Sequence, residues 1–330
     1  MVTPDSVLKW SEWAADSPLY QQLCVVVAED DELMRVINRI EHRPQINIMF
    51  AAVQYLIAKG EGDDLAGYYP NLTPTPLPAA GVDAEFRDFI LQHEAEIVEI
   101  GATRYTQTNE CRRCVALLPM LWMTGLETFH LIDVGTSAGL NLLIDRYHYR
   151  WDNLEWGPQS PVRLEAISKG TMPDPVDIAI AGRTGIDLNP VDPRVPDERI
   201  WLEALVWPEH HGRRERLRAA LEVAESMEIE LVAGDALEVL PQVMESLPED
   251  LPIVVMNSFV LNQFSDDQRS EFHELTRAAR LRRQVYTVSM EAVAGHHAPV
   301  ATLSVDTGSG PEEVGVGHHH GEWVEFYVRP

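Results

Sequence analysis

Phe129-His-Leu-Ile-Asp-Val-Gly-Thr-Ser-Ala-Gly-Leu-Asn141 is the stretch whose reading decides the fold. Apolar Leu131, Ile132 and Val134 surround Asp133, and the chain then breaks into a loop with Gly135 and Gly139. An amphipathic segment, Leu140 to Tyr147, follows and is expected to begin a helix. Strand, glycine turn and helix start together hold small polar molecules, because glycines let backbone N–H groups approach and a helix N-terminus carries partial positive charge. Read as Asp-x-Gly-x-x-x-Gly-x-Asn, the stretch suits S-adenosylmethionine. Read as Gly-x-Ser-x-Gly around Ser137, it suits a serine hydrolase.

Outward from this stretch, strands alternate with helices, the signature of an open α/β sheet. A strand through Ile186 ends at Asp187, and another, Ile229 to Val232, runs into Gly234-Asp-Ala236. A helix extends from there to Leu247, and Ile253 to Met256 forms a buried strand ending at Asn257-Ser258. Ser265-Asp-Asp-Gln268 reads as a capping box opening a further helix. Val285–Ser289, Ala301–Val305 and Trp323–Val328 complete the strands; the last two have no helix between them and are expected to pair antiparallel. Tyr147 to Lys169 reads as an aromatic hairpin inserted in the sheet domain, extended by Val176 to Ala181.

Asp133, Asp187 and Asp235 thus fall at the ends of three successive strands. Ligands of open α/β sheets bind at the carboxyl ends of strands near the point where strand order reverses. S-adenosylmethionine needs acceptors for its amino group, ribose diol and adenine amine. Asp133 with Gly135, Thr136, Ser137, Gly139 and Asn141 supplies the first, Asp187 the second, and Asp235 with Ala236 the third. Capping of turns and helices is the plain alternative for Asp187 and Asp235. A sugar-binding acid often lies ~20 residues past the glycine loop, and the aromatic insertion accounts for the longer gap here. For the hydrolase, Ser137, Asp235 and the late histidines come in a usable order, but no His-Gly oxyanion stretch precedes Ser137 and Asp133 stands where an elbow's strand is apolar. The Gly-x-Gly-x-x-Gly spacing of NAD sites is absent.

Residues 1–125 read as a helical region preceding the sheet domain of 126–330. Leu33, Val36, Ile37 and Ile40 share one face, as do Ile46, Met49, Phe50, Val53, Leu56 and Ile57. Val82 to Ile100 reads as one helix, and Thr108 or Asn109 is placed to cap the next, through Cys111, Val115 and Leu118. Between them Gly60 to Gly81, with Pro70, Pro74, Pro76 and Pro78, reads as a linker or lid.

The 330 residues have room for two domains, and 45% hydrophobic content fills an ordinary globular core. No apolar run reaches the ~18 residues of a membrane span. The N-terminus lacks a signal-peptide layout, and three cysteines make no disulfide framework, so a cytoplasmic location is expected. The net charge of −26 repels polyanions and disfavours nucleic acid as a partner. Lys9, Lys59 and Lys169 are the only lysines, and such a carboxylate-rich, lysine-poor surface suits a high-salt cytoplasm.

Other motifs carry less. His296-His297 and His318-His-His320 lack a convergent ligand set and read as loop histidines, with His320 a candidate near the site. Cys111-Arg-Arg-Cys114 has no second pair, so no metal site is expected. Arg113, or its neighbour Arg112, can clamp a carboxylate at the loop mouth or make a surface ion pair. Tyr147, Trp151, Trp156 and Trp207 either wall a substrate pocket or pack in the core.

Thr106-Gln-Thr-Asn-Glu110 with Arg113, Asp133 to Leu142, Gly185-Ile-Asp-Leu-Asn-Pro190, Trp201-Leu-Glu-Ala-Leu-Val-Trp-Pro208 and His320-Gly-Glu-Trp323 resemble a microbial family catalogued as domain of unknown function 2332. The likeness spans nearly the whole chain. It implies a Rossmann-like class I methyltransferase fold behind a helical N-terminal region. After the fourth strand stands Asn257-Ser-Phe-Val260 rather than the Asn-Pro-Pro-aromatic motif of amino-group methyltransferases, which argues against nitrogen methylation of bases.

The expected protein is an S-adenosylmethionine-dependent methyltransferase acting on a small molecule. Asn109, Arg113 and Tyr147 are placed near substrate, and Asn257 and His320 are the catalytic candidates. A non-catalytic module keeping the fold and its nucleotide is the rival from another class. The acidic surface carries its own expectation: dilution from molar salt into low ionic strength should lower the melting temperature. Equal stability with and without salt would end the high-salt reading.

Overall fold

The computed structural model describes residues 1–293 and 299–327. The chain divides into two compact units, Met1–Thr108 with Arg194–Arg218, and Asn109–Pro193 with Ala219–Pro330. The division lies at Thr108/Asn109 rather than at 125, and a later segment joins the helical unit.

The helical unit contains α1 (Pro4–Ser11), α2 (Pro18–Glu29), α3 (Asp31–Ile37), α4 (Gln45–Ala58), α5 (Asp63–Ala66), α6 (Asp83–Gln92) and α7 (Glu94–Thr103). Side-chain caps set several of these starts: Thr3 and Ser6 form a capping box, Ser17 accepts from Tyr20 N–H, and Asp30 accepts from Glu32 and Leu33 N–H. The expected helix over 82–100 is two, broken at His93, whose backbone leaves helical geometry. α4 is buried on nearly every face and forms the axis of this unit, with Trp201 and Ala204 of α9 (Pro196–Ala204) in the same core. The proline-rich stretch is tied down: Tyr69 is buried in that core. The chain passes from this unit to the other within α10 (His211–Glu225).

Among the described residues the second unit carries α8 (Cys114–Met123), α11 (Ala236–Ser246), α12 (Asp266–Ala279) and eleven strands in one sheet. The strands are β1 (Thr128–Val134), β2 (His148–Trp151), β3 (Leu154–Trp156), β4 (Arg163–Gly170), β5 (Ala179–Asp187), β6 (Glu230–Ala233), β7 (Ile253–Ser258), β8 (Val285–Ala292), β9 (Val300–Asp306), β10 (Glu312–His318) and β11 (Trp323–Phe326). Their order is β3-β2-β4-β11-β10-β9-β8-β7-β1-β5-β6. The run β8-β7-β1-β5-β6 is parallel throughout, and order reverses at β1, which pairs with β5 on one side and β7 on the other. This α/β sheet is mostly parallel, as the alternating strand and helix pattern predicts. α8, apolar on all faces, packs on β4, β8 and β9, so it belongs with the sheet although its sequence reads as part of the helical region.

Three local expectations are corrected. The segment after the glycine loop is a 3-10 helix, Leu140–Arg146, kinked at Leu143, rather than an α-helix. The aromatic hairpin is present as β2 and β3, paired antiparallel across the Asp152 turn, but it is the outer end of the main sheet; of the expected extension Val176 to Ala181, the residues from Ala179 on open β5 instead. The strands at Ala301 and Trp323 do not pair with each other. β10, whose Gly315 and Gly317 interrupt an alternating pattern, lies between them and is antiparallel to both. β11 instead pairs parallel to β4. Val328 of the expected last strand lies outside the described residues. No helix among the described residues is long and apolar enough to cross a membrane.

β10 meets β11 so closely that a Cβ on Gly315 would stand 2.2 Å from Glu325 O. Gly315→Ala should therefore destabilise the chain by about 1–3 kcal/mol, read as a lower midpoint in chemical denaturation. An unchanged midpoint would contradict this register.

Candidate functional site

β1 delivers Asp133 to the carboxyl end of the sheet's reversal point, opposite Gly185 of β5 and Met256 of β7. Asp133 is 1% exposed, and its Oδ2 is buried without a hydrogen-bond partner among the described residues. Burial pushes its carboxyl up to about 7; the Thr136 hydroxyl side and Arg113 pull it down, and nearby Asp187 adds to the rise. The nearby Thr136 hydroxyl is itself outside hydrogen-bond geometry, and a buried acceptor left this way is costly unless something supplies the donor.

The loop after β1 is held from several sides. Gly135 N–H donates to Ile186 O at 2.7 Å, and Gly139 N–H closes on Thr136 O. Gly135 has φ +75°, and a Cβ there would strike Val260 Cγ2 at 2.1 Å. A Cβ on Gly185 would meet the Thr136 side chain at 2.4 Å, so this glycine makes room for Thr136. Asn109 grips the same loop: its Nδ2 donates to Ser137 Oγ at 2.9 Å and its Oδ1 accepts from Ala138 N–H. It does not cap a helix. Glu110 does, accepting from Arg112 N–H.

Asp187 is a latch. One oxygen accepts from Ser137 N–H and the other from Asn189 N–H, both at 2.8 Å. Asp235 caps α11 through Leu237 N–H, and Ala236 is buried behind it. The capping alternative therefore holds for both acids. Their remaining lone pairs are still acceptors, and Asp235 is exposed. Asn141 turns away from the loop, accepting from Cys114 Sγ and donating to Ser258 Oγ. The Cys114 thiol is pushed far up by burial and stays protonated, with no metal-holding cluster of His, Cys, Asp or Glu among the described residues.

The substrate-side candidates separate. Arg113 is buried beneath the loop after β7, with its guanidinium 4.4 Å from the Phe259 ring centre, Nη1 on Ser258 Oγ and Nε on His319 O. Tyr147 is fully buried, its hydroxyl donating to Leu140 O, so it is core rather than pocket wall. Trp151 is buried likewise. His320 lies in the β10–β11 turn, where Gly321 leaves room for the Arg112 carbonyl. That turn is anchored to the Cys111–Arg113 segment, so the His320-Gly-Glu-Trp323 motif and Arg113 share one region. His318 ends β10 rather than standing in a loop. His296-His297 lie outside the described residues.

Asn257 is fully buried and donates to Ser289 Oγ and Glu291 Oε1. Glu291 escaped the sequence reading. Its carboxylate also accepts from the N–H groups of Val260, Leu261 and Asn262, fixing the loop in which Phe259 takes φ +58°. Glu291 stands near the carboxyl end of β8, so the rule that drew attention to the other three acids would have found it.

A family model described as an uncharacterized protein conserved in bacteria (DUF2332) matches residues 7–326. No curated protein matches the chain significantly.

Because the Asp133 carboxyl is raised in the folded chain, the folded state holds a proton that the unfolded state releases. The stability linked to it is present below the unfolded value near 3.8 and lost as pH rises through about 7, on the order of 4 kcal/mol in full. Asp133→Asn should accordingly raise the melting temperature more at pH 8 than at pH 5. Equal shifts at both would mean the carboxyl titrates normally.

Proposed function

The chain belongs to the DUF2332 family, and from its site we propose that it is a methyltransferase that binds S-adenosylmethionine and methylates a small molecule. The observation that carries this reading is the orphaned buried oxygen of Asp133 at the sheet's reversal point, beside a glycine loop. An ammonium group supplies the donor this oxygen lacks and favours its ionised form. The cofactor also offers a ribose diol and an adenine amine, suiting the spare lone pairs of Asp187 and the exposed carboxylate of Asp235.

The fit has a definite boundary. The sequence after the loop gives a seven-residue 3-10 helix kinked at Leu143, so the start of a long α-helix is not there to face a ligand. Val260 occupies the space beside Gly135, so that glycine serves the loop's own packing. Recognition therefore falls to carboxylates. When bound, S-adenosylmethionine supplies an electrophilic methyl group. Asp133 would hold its amino end and Asp187 its sugar, while Glu291 fixes the loop beyond β7 against which an acceptor would lie. Such transfer depends chiefly on alignment, and Asn257, committed to Ser289 and Glu291, is a positioning residue.

That commitment of Asn257 also favours a second reading, a non-catalytic module that keeps the ligand. The hydrolase reading gains one feature, the positive φ of Ser137 (51°), which a strained elbow would also have. Against it, the Ser137 hydroxyl accepts from the Asn109 amide, a group that cannot serve as a base.

Calorimetry decides among these. S-adenosylmethionine and S-adenosylhomocysteine should bind one-to-one, with affinity falling up to tenfold per pH unit below about 7 as Asp133 takes up its proton. Asp133→Asn should weaken both by at least about tenfold, the loss of a charge-assisted contact. No heat from either ligand sinks the proposal, and fluorophosphonate labelling of Ser137 would replace it with the hydrolase.

A further inference from the structure

One concavity of the sheet unit shares no lining residue with the glycine loop. Its volume is about 680 Å³, and Asp145, His148, Glu155, Trp156, Asp177 and Ile178 are among its lining residues. The elements that build it come from the aromatic hairpin and its flanks. Asp145 lies in the last turn of the 3-10 helix, His148 opens β2, Glu155 and Trp156 close β3, and Asp177 precedes β5. Gly157 lets the chain turn at the rim: at φ +95°, a Cβ there would stand 2.2 Å from Tyr147 O.

Two of the lining residues each carry a buried polar atom that lacks a hydrogen-bond partner among the described residues, Asp145 Oδ1 and His148 Nδ1. The Asp145 side chain is 10% exposed, and its other oxygen already receives Arg183 at 2.7 Å. What Oδ1 lacks is a donor. Glu155 and Asp177 add two exposed carboxylates, and Trp156 contributes a half-buried ring backed by Trp122 and Tyr149. A metal ion is a poor match, because three or more ligands converging on one point occur nowhere among the described residues. Carboxylates spread around a cavity this size, with an aromatic wall, match a larger cation.

We infer that this groove is a binding site for a small organic ammonium ion bearing N–H donors, with Asp145 Oδ1 accepting from it, Glu155 and Asp177 balancing its charge and Trp156 covering its carbon skeleton. The site is separate from the glycine loop, and it stands whether or not S-adenosylmethionine binds there.

Titration calorimetry of the full chain at 150 mM salt tests it, with 1,4-diaminobutane as probe. Choline, a cation without N–H groups, and glucose, a neutral donor, serve as comparisons. One saturable site for 1,4-diaminobutane is expected, with choline at least about tenfold weaker and glucose inert. The Glu155→Gln/Asp177→Asn double variant, altered only at exposed positions, should lose at least about tenfold. Glucose binding as tightly as the diamine would make this a hydroxyl site and overturn the inference. So would unsaturable heats, or full binding by the double variant, either of which would reduce the effect to the general charge of the surface.

Discussion

A carboxyl group held dry at the end of the central parallel strand is the constraint on which this structure turns. Asp133 sits between Gly185 and Met256, with one oxygen lacking a partner among the described residues. Such an arrangement opposes folding at neutral pH, because ionised carboxylates are poorly tolerated without water or donors. Buried titratable groups with strongly displaced values cluster at working sites. The sheet supplies a reason for this one: strand order reverses at β1, and the crevice beyond its carboxyl end is where open α/β sheets receive ligands.

The surroundings of Asp133 are braced rather than open. Asn109 and Asp187 hold the glycine loop through backbone and hydroxyl bonds, and Val260 packs against Gly135. Glu291 in turn fixes the backbone around Val260 through three N–H groups. Arg113 lies on Phe259 and reaches Ser258. Five segments distant in sequence thereby define one braced rim, which is how a site built for alignment rather than proton transfer would be organised.

The parallel half of the sheet was legible because β1, β6 and β7 carry short apolar runs ending near an acid, glycine or asparagine, and side-chain-capped helices, α11 and α12, follow two of them. Asp133, Asp187 and Asp235 could be placed at strand ends for that reason. Their surroundings could not be separated, since an acid that caps a helix and one that is buried without a donor have the same local sequence. Only the three-dimensional partners divide them: Asp187 and Asp235 have backbone donors, whereas Asp133 Oδ2 has none among the described residues. β10 escaped notice because Gly315 and Gly317 lower its strand signal, yet those glycines are what its close approach to β11 requires. Tyr147 shows the opposite failure. An aromatic near a presumed pocket is equally at home in a core, and its hydroxyl found the Leu140 carbonyl.

The central claim is that the Asp133 carboxyl is raised by burial and waits for a cationic partner. Carbon-13 NMR of the side-chain carboxyl, assigned through Asp133→Asn, measures this directly. The account predicts a titration midpoint at about 7 in the free chain, moving down when S-adenosylmethionine is added at saturating concentration. A midpoint in the ordinary aspartate range, or one that the ligand leaves in place, would contradict it.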